Sequence, residues 1–202
     1  SESGFCEPDL LAKDLETGRR WTDFAAHFPD ALVSMGSATI MSAGARADKF
    51  AAAAEVYNKT TEIGRAAGVT VAVHPSSHHN TLLLHRADYA ELFELLDANV
   101  GWVPDTGHIL RGDHDMDQSL KAYHDRIRYV HLKDVDSKGD WAMLGAGECD
   151  ISRVIEITSQ APNFNGWVVV EEESTEAGAD PTAAVAKNHA TLLNMGLTGA
   201  LK

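Results

Sequence analysis

Five short, mostly apolar and β-branched runs punctuate the chain, and a segment with helical spacing follows each of them. The runs are Ala31–Gly36, Val69–His74, Val100–Pro104, Ile127–Leu132 and Trp167–Glu171, and they begin 27 to 40 residues apart. Two-sided apolarity is what a strand buried on both faces requires, so the runs predict parallel strands rather than a half-solvated antiparallel sheet. The helical segments are Asp48–Ala67, Arg86–Asp97, Met116–Tyr123, Ile151–Ser159 and Pro181–Asn194, with Asp9–Phe28 ahead of the first strand. In Asp48–Ala67 the residues Phe50, Ala54, Tyr57, Thr61 and Ala66 share a face, and Gly68 closes the end. Strand, helix and parallel strand in regular alternation is an α/β chain of repeated βα units.

Such units close in two ways, as an open doubly wound sheet or as part of an eightfold barrel. Neither a G-x-G-x-x-G turn nor a P-loop is present, and Gly145-Ala146-Gly147 reads as a tight turn. No linker or low-complexity tract divides the chain, so a single domain over 1–202 is expected.

Composition narrows the partners. A net charge of −13 with only short basic concentrations (Arg19–Arg20, Arg126 with Arg128) argues against nucleic acid. No apolar run is long enough for a membrane span, and the opening SESGFCEPDL has no signal-peptide pattern; a cytoplasmic address is the default expectation. Cys6 and Cys149 are too few for a disulfide framework or a thiolate site.

In either architecture chemistry gathers at the carboxyl ends of the strands. Those ends give His74, then Asp105-Thr106-Gly107-His108, then His131-Leu132-Lys133-Asp134, then Glu171-Glu172-Glu173. One polar strand end means little, since carboxylates cap the helices that follow. Four in succession, reading His, Asp, His and Glu, predict a metal centre. Mixed imidazole and carboxylate donors suit Mn, Co, Zn or Fe(II), whereas Mg prefers more oxygen. Asp113-His114-Asp115, in a loop opening a helix, reads instead as capping. Trp102 and Trp167, within strands, read as core; Trp141 is a surface-packed aromatic or a lid over the site.

The phrases PDTGH, VHLKD and GWVVVEEE, in this order, resemble the xylose-isomerase-like TIM-barrel superfamily from about Ala31 to the C-terminus. That group includes sugar isomerases and epimerases, inosose dehydratases and endonuclease IV enzymes. The resemblance implies a (β/α)₈ barrel of which about five C-terminal βα units are visible here. It implies that Asp105, His131 and Glu171 hold one divalent ion, with His74 at the position usually occupied by glutamate. It implies that Glu171 and His108 act in catalysis together with Lys133, and that His108, Lys133, Asp134 and His78 line the substrate site. A small sugar or polyol is the implied substrate, and a homodimer the implied assembly.

Two departures shape the expectation. His74 removes one of two carboxylates that family epimerases use, and its "HP" phrase resembles the inosose dehydratase branch. Isomerase or epimerase chemistry and dehydration therefore stand side by side. A sugar-binding barrel without catalysis is a further reading, and the charge disfavours endonuclease chemistry. Three βα units of an eightfold barrel are also not visible, and units N-terminal to these are expected to cover the sheet edges.

Overall fold

A computed structural model of the protein describes residues 4–197. Within it the chain forms two compact units that meet in sequence between Val103 and Pro104. Each is described by itself.

The N-terminal unit contains α1 (Leu11–Ala25), β1 (Leu32–Met35), α2 (Arg46–Ala66), β2 (Thr70–Val73), α3 (Arg86–Leu95) and β3 (Gly101–Trp102). The strands lie in sequence order and pair in parallel, with Val33 opposite Val71 and Val73 opposite Trp102. Helical crossovers between adjacent parallel strands are the βα rhythm expected from the sequence. Phe50, Ala54, Tyr57 and Thr61 of α2 are buried as expected, but Ala66 is exposed. Gly64 takes the inner position: a Cβ there would stand 2.8 Å from both the Val69 carbonyl and a Val71 methyl. Glycine thus brings the end of α2 against β2. Gly68 (φ +75°) reverses the chain in the left-handed region, as a helix C-terminus requires. Trp102 is fully buried and meets Tyr89 and Phe93 edge-on, at centroid distances of 6.1 and 5.9 Å.

Glu7, in the same unit, is buried and accepts from the Lys49 ammonium, the Ser42 hydroxyl and the Met41 amide. Burial pushes its carboxyl up, but these donors outweigh it and hold the pKa at about 2, against an ordinary 4.5. The folded pKa is the lower one, so the network's stabilisation is complete above pH 4.5 and is lost as pH falls toward 2. Lys49→Met leaves the carboxylate buried without its cation. It is expected to cost about 3 kcal/mol at neutral pH and to flatten the acid limb, as read by urea unfolding across that range.

The C-terminal unit contains α4 (Thr106–Arg111), α5 (Met116–Ala122), β4 (Val130–Leu132), β5 (Asp134–Val135), β6 (Trp141–Ala142), α6 (Ile151–Thr158), β7 (Val168–Val170), α7 (Thr175–Ala179) and α8 (Pro181–Asn194). β4 pairs with β7 in parallel, and β5 with β6 as an antiparallel hairpin turned at Asp136–Gly139. Neither the hairpin nor α4 was expected from periodicity. The fourth strand is shorter than Ile127–Leu132 because His124–Arg126 forms a tight helical turn whose end is Ile127.

β1 and β7 are each an outer strand of their own sheet among the described residues. Beside β1, Trp21, Phe24 and Phe28 line an open apolar groove of about 350 Å³. On β7, Val169 is 37% exposed, and Trp167 just before it is 70% exposed, not the core residue expected.

Candidate metal centre

Backbone pairing explains how three ligand candidates meet. The His131 amide donates to the Pro104 carbonyl (2.9 Å), and Asp105 bridges His131 in parallel. On the other side of β4, His131 lies opposite Val169, and the Glu171 amide donates to the Leu132 carbonyl (3.0 Å). Side chains alternate along strands, so Glu171 projects on the side of Val169 and hence of His131. The paired strands β4 and β7, with Asp105 bridged beside β4, thus deliver Asp105, His131 and Glu171 to one face.

Their ligand atoms lie within 4.8 Å of one another. His131 Nδ1 stands 2.7 Å from Glu171 Oε2 and 3.7 Å from Asp105 Oδ2. Ligands 2.0–2.2 Å from a shared ion fall at similar mutual separations, and one imidazole with two carboxylates is a borderline donor set. These residues fit a divalent cation. Asp105 is fully buried and divides its carboxylate: Oδ1 caps α4 through the His108 amide (2.9 Å), while Oδ2 faces His131. Glu171 is divided likewise, with Oε2 toward His131 and Oε1 2.8 Å from Lys133 Nζ.

Other expected site residues are placed differently. Lys133 is 1% exposed, and its ammonium also reaches Glu173 Oε2 (3.1 Å), so it presents no free surface to a substrate. Asp134 is a correction to the expectation of a pocket-lining group. Its Oδ1 accepts from the amides of Val135 and Cys149, its Oδ2 from those of Gly145 and Gly147, all at 2.9–3.0 Å. It organises the Leu144–Cys149 loop from within. His108 is buried, with its ring edge-on to Trp141 at 5.4 Å. Trp141 is half-buried and sits between Arg111, 4.3 Å from the ring centroid, and Lys133, 4.2 Å from it. Glu172 turns from the site and accepts from Asn188 (2.7 Å), which in turn accepts from the Leu144 amide.

In the N-terminal unit His74 follows β2 and is half-buried, its amide donating to the Met35 carbonyl (2.8 Å). His78 and His79 are exposed in the turn beyond it. Three further histidines have structural tasks: His85 caps α3 in a box with Asp88, His114 meets Ser119 (3.2 Å) and His124 the Ile157 carbonyl (3.1 Å). Asp115 caps α5, as expected for that acidic loop.

Burial raises both thiols, Cys6 and Cys149, to about 12. Neither is a thiolate at neutral pH, in keeping with a site built without sulfur. Native protein at pH 8 is expected to react with a disulfide reagent at least about 100-fold more slowly than unfolded protein, since only the thiolate attacks.

Comparison with known proteins identifies relatives of this chain and of its fold. An inosose dehydratase of Geobacillus kaustophilus is 33% identical over 127 residues, covering 52% of this chain and 40% of the relative. The chain spans less than half the length of the curated relatives it matches. The fold is that of a sugar phosphate isomerase/epimerase from Parabacteroides distasonis (TM-score 0.76, 17% identity), matched over all of this chain and 70% of that one. It is equally that of the IolI protein crystallised with a zinc atom (TM-score 0.77, 15% identity), over 94% of this chain and 72% of that one. Among the described residues, no helix is long and apolar enough to cross a membrane. The family description for xylose isomerase-like TIM barrels matches residues 3–194, and the chain belongs to that family.

Proposed function

We propose that the chain carries the metal-binding half of an enzyme that removes a proton beside the carbonyl of a small keto-sugar or keto-polyol. The convergence of Asp105, His131 and Glu171 on one face carries this reading. A divalent cation bound there supplies Lewis-acid polarisation of the carbonyl. Glu171 Oε1 takes the carbon-bound proton. Lys133 offsets the carboxylate's charge beforehand and keeps a partner in Glu173 once Glu171 is neutral. The expectation that His74 adds a further ligand rests on its place at a strand end, and His74→Ala tests it by lowered metal retention.

Two fates follow proton removal. Return of the proton makes an isomerase or epimerase, as the sequence motifs suggest; loss of a β-hydroxyl makes a dehydratase. Sequence likeness to inosose dehydratase favours the second. Incubating the full-length protein with 2-keto-inositol and with ketoses separates them. A diketone from the inosose supports dehydration, and C3-epimerised ketose supports the other fate. Binding of sugars without turnover or metal uptake overturns both in favour of a non-catalytic barrel.

A further inference from the structure

Glu171 offers two oxygens, and only Oε2 faces His131; Oε1 is 2.8 Å from Lys133. Lys133 is in turn confined. Its ammonium lies 4.2 Å from the Trp141 ring centroid and its stem passes under Gly107. A Cβ on residue 107 would meet Lys133 Cγ at 2.8 Å and Trp141 Cζ3 at 2.9 Å, so glycine is what lets this pair nest against α4. Arg111 holds the indole as well, 4.3 Å from its centroid. Trp141 itself is fixed by the β5–β6 hairpin, in which it pairs with Val135. An ammonium over an indole is attracted to the ring face, and burial strengthens that attraction.

We infer that Trp141 is a positioning residue: through Lys133 it turns Glu171 so that a single oxygen faces Asp105 and His131. This inference rests on the metal reading above. A carboxylate held by one oxygen occupies one ligand position where a chelating one takes two, leaving room for substrate oxygens. The hairpin then has a function that its short, polar sequence does not announce, and the glycine of PDTGH has a steric reason to be glycine.

The test uses Co²⁺ as probe, because its visible absorption weakens as coordination number rises. Full-length wild type is compared with Trp141→Leu, Trp141→Phe and Gly107→Ala, all of unchanged charge, with circular dichroism confirming the fold. Trp141→Leu removes the ring face, and Gly107→Ala displaces the same pair by crowding both its members. Both are expected to weaken Co²⁺ binding about tenfold and to shift the spectrum toward higher coordination. Trp141→Phe keeps an aromatic face and is expected to restore the wild-type spectrum. Wild-type affinity and spectrum in both Trp141→Leu and Gly107→Ala overturn the positioning role while leaving the metal centre standing. Wild type that takes up no Co²⁺ overturns the centre and this role together.

Discussion

Glu171→Gln is expected to lower kcat by about 10⁴, the upper range for removal of a positioned base. The substitution keeps shape but removes the proton acceptor, and it turns an amide NH₂ toward either Lys133 or His131. Facing Lys133, which donates to Oε1 at 2.8 Å, the NH₂ makes that contact donor against donor. The variant is expected to fold, because Glu171 is partly exposed and neither main-chain pairing nor core packing depends on its charge. Turnover of whichever substrate the full-length enzyme accepts checks it. A loss under tenfold would transfer the proton-removing role elsewhere, with Glu173, on the same side of the chain, the next residue to replace.

The largest stability effect is expected at Asp134. Asp134→Ala leaves four main-chain N–H groups, those of Val135, Gly145, Gly147 and Cys149, without their acceptor. A buried unsatisfied donor costs about 1–3 kcal/mol, and relaxation of the loop recovers part of it, so a net loss of about 4 kcal/mol is expected. Gly147 has little room to shift inward, since a Cβ there would lie 2.5 Å from the Val135 carbonyl, which the substitution leaves in place. Urea unfolding reads the effect as a lowered midpoint. A midpoint change equivalent to under about 1 kcal/mol would mean that water replaces the carboxylate, and that the loop is not held from within.

The cluster of candidate ligands was legible because Asp105, His131 and Glu171 stand at strand ends. An apolar parallel strand must stop at the rim of the sheet, and its first ionisable residue there is presented to whatever lies beyond. Asp105, His131 and Glu171 could therefore be read without coordinates. Lys133 reads from sequence as a group beside the substrate; in the structure its ammonium meets Glu171 and Glu173. The register that sets Leu132 opposite Val170 sets Lys133 opposite Glu171 next, and a cation and a carboxylate in adjacent positions pair. Asp134 follows one residue later and points to the other side, where only the loop can meet it. The β5–β6 hairpin was not legible, because two-residue strands around Asp136–Asp140 show no alternation. Helix α4 was hidden by its length of six residues, too short for a periodic face. Trp167 reads as core because it lies within the run Trp167–Glu171, yet it precedes β7, an outer strand of the described sheet.

The most direct test of the account is metal content. Full-length protein purified without chelators should be measured by inductively coupled plasma mass spectrometry, wild type beside Asp105→Ala, with circular dichroism confirming that both are folded. One equivalent of Mn, Co, Zn or Fe in the wild type, lost in the variant, is the expected result. Wild type that arrives empty and takes up none of these ions when they are added would contradict it.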